Sequence, residues 1–449
     1  MIKRILPIFV FLCTSVLYSQ AADPVASPSP SASPESTPKP QPVPLDPLLQ
    51  QADLWGPVTP DFSAACKKMG FRWISSAQDT AQSVKPGLTL FDIPMNQVLL
   101  RFAQGKPKEI TVLFYNRGDV GELSKTDFES LKQKCASAIT KFTNVQPVER
   151  GKDPTNAVKA TGLAWTTGTS QFLLEDSFTK TQEIPFRAEF IRLTATPLEK
   201  PKSLLEQSLT EFHSSPVRFG GADHVKREAN GDVYIEGIPM VDQGEKGYCV
   251  VASAERVMRY YGGRVDENEL AEIANSSAEK GTSVPAMLDS LKKLSNRLRV
   301  KVRTIDDLDS TSFAMLIADY NRAALHGKRA EPVSEQGAES LSDLFEGMNP
   351  EILREARTKN PGAMNRFFHL VQTHIDQGIP PLWSVMIGIL KEPRDPKGFG
   401  GHMRLIIGYN DKTKEIIYSD SWGLGHEMKR MPLSDAWTMT MGLDAIEPL

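Results

Sequence analysis

The stretch Gln243-Gly244-Glu245-Lys246-Gly247-Tyr248-Cys249, followed by the run from Val250 to Tyr261, decides how this chain is read. Val250, Ala254, Val257, Met258 and Tyr261 recur near a 3.6-residue period, and Gly262-Gly263 follows them. That pattern predicts a helix beginning at Cys249 and ending at the glycine pair. A thiol attacks a carbonyl only as a thiolate, and an ordinary cysteine titrates near 8.5. The partial positive charge of a helix N-terminus stabilises the anion, and a neighbouring imidazole that accepts the proton does the same. Gln243, six residues upstream, places an amide donor on the turn before the helix. Such a donor suits an oxyanion, and each fixed donor of this kind is worth about 10²–10³ in rate.

The imidazole must come from far away in sequence. Of seven histidines, His213 and His224 lie in a polar boundary region and His326 follows a helix end. His369 and His374 are five apart, which does not match a metal pair at i, i+4, and Arg430 stands where His426-Glu427 would need a second histidine for a zincin pattern. No cofactor or metal is therefore expected. His402 differs, because Gly401 precedes it and a strand-like run follows. The runs Met403–Ile407 and Glu415–Asp420 flank the turn signal Tyr409-Asn410-Asp411-Lys412-Thr413. A hairpin centred on Asp411 would set His402 directly across from Asp420, with Cβ atoms about 4.5–5.5 Å apart. Each residue also has a plain structural reading: a core cysteine, a solvated glutamine, a strand-end aspartate. Their joint order argues for the chemistry.

These motifs resemble the papain-like cysteine peptidases, and the Asp420-Ser421-Trp422-Gly423 element is most similar to the bacteriocin-processing (double-glycine) peptidase branch. The resemblance covers about residues 233–449. It implies a papain-like α+β fold, with a helical half carrying the nucleophile helix and an antiparallel β half. It implies Cys249 as nucleophile, His402 as general base and acid, Asp420 as the residue orienting His402, and Gln243 as oxyanion donor. Tyr248, Gly400, Gly401 and Trp422 are then expected to line the substrate site, and Trp422 to shield the His402 hydrogen bond. The glycine-rich run before His402 reads equally as a flexible cleft wall or a connector. The chain departs from the pattern in its Tyr248-Cys249-Val250 context and in a long helical stretch over 306–380. A cysteine acyltransferase or amidase, and an inactive secreted binding protein, are the competing readings.

The rest of the chain sets the context. At 449 residues there is room for two or three domains, and a net charge of -3 with 40% hydrophobic residues gives no reason to expect nucleic-acid binding. Lys3-Arg4, the apolar run Ile5–Tyr18 and Ser19-Gln20-Ala21 read as a signal peptide over 1–21, implying export to a periplasm or the exterior, with no stable membrane span afterwards. Residues 22–48 are rich in proline and serine and read as a disordered linker. Residues 50–205 read as a first α+β domain of open role (prodomain, binding module or structural partner), 206–230 as a linker, and 231–449 as the peptidase domain. Export leaves Cys66, Cys135 and Cys249; Cys66 and Cys135 either pair or are two buried thiols, and Cys249 is expected to stay free. The partner expected is a peptide or protein substrate. Oligomeric state is not readable.

Overall fold

The computed structural model describes residues 41–150, 158, 160–180, 184–198, 221–244, 247–263, 265–276, 281–326, 328–334, 340–392 and 398–449. The expected signal peptide, residues 22–40 of the expected first linker and residues 206–220 of the second lie outside this set. Described structure begins inside the first expected linker. Val43–Pro44 pairs in parallel with Leu88–Leu90, and Leu45 and Leu48 are fully buried. Four apolar residues in seven (Val43, Leu45, Leu48, Leu49) bury enough surface to anchor this end of the proline-rich run. Likewise Val225–Arg227, inside the second expected linker, pairs with Asp232–Ile235.

The first part of the chain is built on an eight-stranded sheet. Its order is Arg72–Trp73, Thr80–Ser83, Gln97–Ala103, Lys106–Asn116, Arg187–Pro197, Ser170–Thr179, Thr161–Thr166 and Val148–Arg150. Helix Lys125–Thr143 lies against it, capped by Ser124, whose hydroxyl accepts from the Asp127 N–H. Phe128, Cys135 and Ile139, seven and then four residues apart and so on one helical face, point to the core. Cys66 sits half-buried on helix Pro60–Lys68. Both cysteines are free thiols, so the pairing held open from sequence is not made. Each is taken up by apolar packing on its own helix, and burial pushes each thiol up to about 12.

The second part carries a mixed layer of helices and an antiparallel sheet ordered Val225–Arg227, Asp232–Ile235, Gly400–Asn410, Leu382–Ile387, Thr440–Pro448 and Val300–Asp307. Glu415–Ser419 pairs on Gly400–Asn410, and Lys429–Pro432 pairs on Glu415–Ser419 in turn. Gly400–Asn410, the His402 strand, is buried along its whole length. Met403, Leu405 and Ile407 pack with helix Cys249–Tyr260. Ile406 and Tyr409 pack on the other face with Phe367 and Phe368 of helix Pro361–Asp376. A strand covered on both faces reads as a nearly continuous apolar run, which is why 403–407 is so legible. The Cys249 helix is itself buried all round except at Arg259. Among the described residues no helix is long and apolar enough to cross a membrane.

The two parts meet along a seam. Arg192 of the first sheet pairs with Asp266 and, at 2.8 Å, with Glu269. Arg117 donates to the Ser276 carbonyl at 2.7 Å, and the Ser177 hydroxyl donates to Glu272 at 2.6 Å. The seam leaves a cleft of about 910 Å³ lined by Gln82, Arg101, Glu255 and Arg259 among others, which includes none of Gln243, Cys249, His402 and Asp420.

Candidate active site

Helix Cys249–Tyr260 begins at the thiol itself, as its periodicity predicts. Ser253, one turn on, donates to the Met403 carbonyl at 3.4 Å. That ties the first turns of this helix to the strand that carries His402. Arg256, one turn further and fully buried, donates to the Pro239 carbonyl at 2.9 Å, the Asp420 carbonyl at 3.0 Å and the Ser419 hydroxyl at 2.5 Å. Residues 249, 253 and 256 follow helical spacing, so one stripe of this helix is pinned to the strand ends that carry the site. Cys249 is disulfide-bonded in this structure, against the expectation that it stays free. Nucleophilic chemistry at this sulfur requires the reduced thiol.

His402 and Asp420 meet: His402 Nε2 lies 2.9 Å from Asp420 Oδ1. The hairpin register that anticipated this contact is two residues off. Asn410 pairs with Glu415 and Leu405 with Ser419, with a bulge between Ile406 and Gly408. Continuing this register sets Arg404, not His402, across from Asp420, and His402 becomes the diagonal neighbour on the same face. The four-residue turn 411–414 displaces the pairing by three residues and the bulge takes one back, which symmetric counting about Asp411 misses.

The Trp422 ring stacks on the His402 imidazole, with centroids 4.5 Å apart and planes inclined by 21°. Gln243 is tied to the same loop: its N–H donates to the Ser421 carbonyl at 3.0 Å, and the Ser421 hydroxyl donates to Gln243 Oε1 at 2.5 Å. Engaging Oε1 orients the amide so that its NH2 end is the one turned elsewhere. Gly244 has φ +66°, a left-handed turn that suits glycine.

The remaining expected site residues are placed differently. Tyr248 is almost fully buried and lies against Gly118 of the first part, where a Cβ would meet its hydroxyl. It is therefore packed into the seam and does not face an open cleft, because the residue before a helix fully wrapped by neighbours has no solvent side. Gly400 and Gly401 are buried in the sheet, paired with Ile387 and Met386. They form the start of the strand, and Gly398 in front of them has φ +110°.

Sequence reasoning missed the charged shell around Asp420. Arg404 Nε donates to Asp420 Oδ1 at 2.9 Å, and Lys429 Nζ lies 3.2 Å from Oδ2. The Arg404 guanidinium continues to Glu392 at 2.9 Å, and the Tyr418 hydroxyl donates to Glu392 at 2.7 Å. Burial alone would raise the Asp420 carboxyl; Arg404, the His402 hydrogen bond and Lys429 outweigh it and hold it well below the usual carboxylate range. Burial lowers His402 from its ordinary value; Asp420 opposes this and Arg404 reinforces it. The signal available was Arg404 itself, a charge inside the apolar run Met403–Ile407.

A cysteine at the start of a buried helix, an imidazole held by a carboxylate under a tryptophan, and an amide anchored to the tryptophan's loop are features that the papain-like resemblance implies. Residues 235–443 match the model of the Peptidase_C39 like family. The match supports a cysteine-type peptidase. Among solved structures, xylellain, a cysteine protease from Xylella fastidiosa, is similar at 12% identity over 52% of this chain and 90% of its own, with a TM-score of 0.28. No curated protein matches.

Proposed function

We propose that the chain is an exported cysteine peptidase that hydrolyses peptide bonds through an acyl-enzyme on Cys249. His402 Nε2 is engaged by Asp420, which leaves Nδ1 to take the thiol proton. The Cys249 sulfur then attacks the scissile carbonyl carbon, and the oxyanion is received by the Gln243 amide and the Cys249 N–H. His402 returns the proton to the leaving amine, and the carbonyl remains on sulfur as a thioester. Water, deprotonated by His402, attacks the thioester, releases the acid and restores the thiol. With His402 lowered by burial, the resting imidazole is mainly neutral and acts as a base.

The observation that carries this reading is the 2.9 Å His402–Asp420 contact beneath Trp422. Export rests on the basic and apolar start of the sequence. The seam contacts favour a first domain that works as a structural partner of the catalytic segment. The test is labelling of the reduced protein with an epoxide that traps papain-like thiols, together with cleavage of a peptide library. Wild type should label and cleave; Cys249→Ala and His402→Ala should do neither. Labelling that persists in Cys249→Ala would remove the assignment, and labelling without cleavage of any peptide would point to acyl transfer.

A further inference from the structure

We propose that Arg404 is a positioning residue for this site, fixing the Asp420 carboxylate against His402 and, with Lys429, cancelling its charge so that His402 stays neutral at rest. The inference rests on the peptidase reading for its kinetic consequences, but its central claim concerns the ionisation of one imidazole.

Three observations carry it. Arg404 stands at the position across from Asp420, and its Nε shares Oδ1 with His402 Nε2, each at 2.9 Å. With Lys429 on Oδ2 at 3.2 Å, both carboxylate oxygens are held, so the plane of the carboxylate and therefore the acceptor direction offered to His402 are set. Second, Arg404 is fully buried in a strand whose neighbours are Met403, Leu405 and Ile406, and its Nη1 has no hydrogen-bond partner among the described residues. A buried charge with an unsatisfied donor is costly, and an aliphatic side chain would fill this strand position at less cost. Third, the charges balance. Asp420 and Glu392 against Arg404 and Lys429 sum to zero, so this shell gives His402 no net reason to become imidazolium.

A papain-like site with asparagine in the orienting position obtains a neutral acceptor directly. Here an aspartate flanked by two cations has the same net effect, with a stronger acceptor for the His402 N–H. The charged or titratable groups facing His402 are Asp420 and Lys429 from the hairpin side, Arg404 from its own strand and Glu392 from the segment after Leu382–Ile387. The Cys249 helix adds Arg256, on the Asp420 carbonyl, and Cys249 itself. Of these, Arg404 is the cation bonded to the same oxygen as the imidazole.

The test is NMR titration of the His402 ring in the full chain carrying Cys249→Ser, with and without Arg404→Gln. Removing Arg404 should raise the His402 midpoint by about one pH unit, since the shell then carries a net negative charge. Lys429→Met, at a less buried site, should raise it in the same direction by a smaller amount, and serves if Arg404→Gln does not fold. An unchanged or lowered midpoint in a folded variant overturns the proposal. In the reduced enzyme with Cys249 intact, Arg404→Gln should move the acidic limb of kcat/KM, where the His402 base titrates, to higher pH and lower kcat with little change in KM. Arg404→Lys should keep the limb near its wild-type position while lowering kcat about tenfold, because a point charge lacks the fork that orients the carboxylate. A loss of KM alone would mark a merely structural role. If wild type cleaves nothing, the peptidase reading fails, and the titration still decides what Arg404 does.

Discussion

Gly118→Ala is a one-methyl probe of how the first part of the chain supports the Cys249 helix. Gly118 lies in the short helix Arg117–Val120, whose backbone accepts alanine. The added Cβ would overlap the Tyr248 hydroxyl and stand 2.6 Å from Cζ of the same ring. The ring is almost fully buried and its residue immediately precedes Cys249, so it must move into packed surroundings. Overpacking of this kind costs about 1–3 kcal/mol. For a unit of this size that is a drop in Tm of roughly 4–8 °C at the midpoint of the range. A shift of a fraction of an ångström at the helix start carries the thiol with it, and a misplacement near 1 Å costs about 10²-fold in rate, so kcat/KM should fall roughly ten- to a hundredfold. Thermal melts and peptide hydrolysis on the reduced enzyme read both effects. Tyr248→Phe in the Gly118→Ala background removes the hydroxyl and should recover part of each loss, the ring carbon still being close. Unchanged Tm and kcat/KM in Gly118→Ala, or no recovery in the double variant, would refute the idea that the seam positions the nucleophile.

Two further expectations concern the shield and the seam. Trp422→Ala exposes the His402–Asp420 hydrogen bond to competing water, and an exposed bond of this kind is worth about 1 kcal/mol less than a buried one. The turnover number should fall about fivefold to tenfold with KM nearly unchanged, and Trp422→Phe should retain most of it; equal losses in both variants would count against stacking as the cause. Glu272 is pushed up to about 8 by burial, against an ordinary value of 4.5. The folded chain therefore holds this proton more tightly than the unfolded chain. The contribution is full below about pH 4.5 and is lost as pH rises toward 8. Glu272→Gln should raise Tm at pH 8 relative to wild type and leave it near wild type at pH 5. Parallel melting curves at the two pH values would show that the carboxyl is not the seam's titrating group.

Much of the site was legible because local rules bear on it. The helix start at Cys249 follows from the spacing of Val250, Ala254 and Val257, and the structure begins the helix at that residue. The hairpin over 403–420 follows from Asn410-Asp411-Lys412-Thr413, but not its pairing, since a bulge near Ile407 leaves no mark in composition. The C-terminal strand Thr440–Pro448, central to the second sheet, went unread. Its Met441-Gly442-Leu443-Asp444 pattern lacks the β-branched alternation that identifies a strand by itself. The linker edges were misjudged for a similar reason: Leu45 and Leu48 are too few to suggest a core until Leu88 and Leu90 pack beside them.

The sequence by itself determined the identities and the order of Gln243, Cys249, His402 and Asp420, and the elements that carry them. Periodicity, turn chemistry and motif spacing are properties of neighbouring residues, and they survive without coordinates. Only the tertiary structure decided which residue opposes Asp420, what surrounds it, and where Tyr248 points. Arg404, Lys429 and Glu392 converge from three separate segments, and Gly118 reaches Tyr248 from the distant first part of the chain. Such contacts depend on register and on packing between distant parts of the chain, where a shift of one residue exchanges one side chain for another.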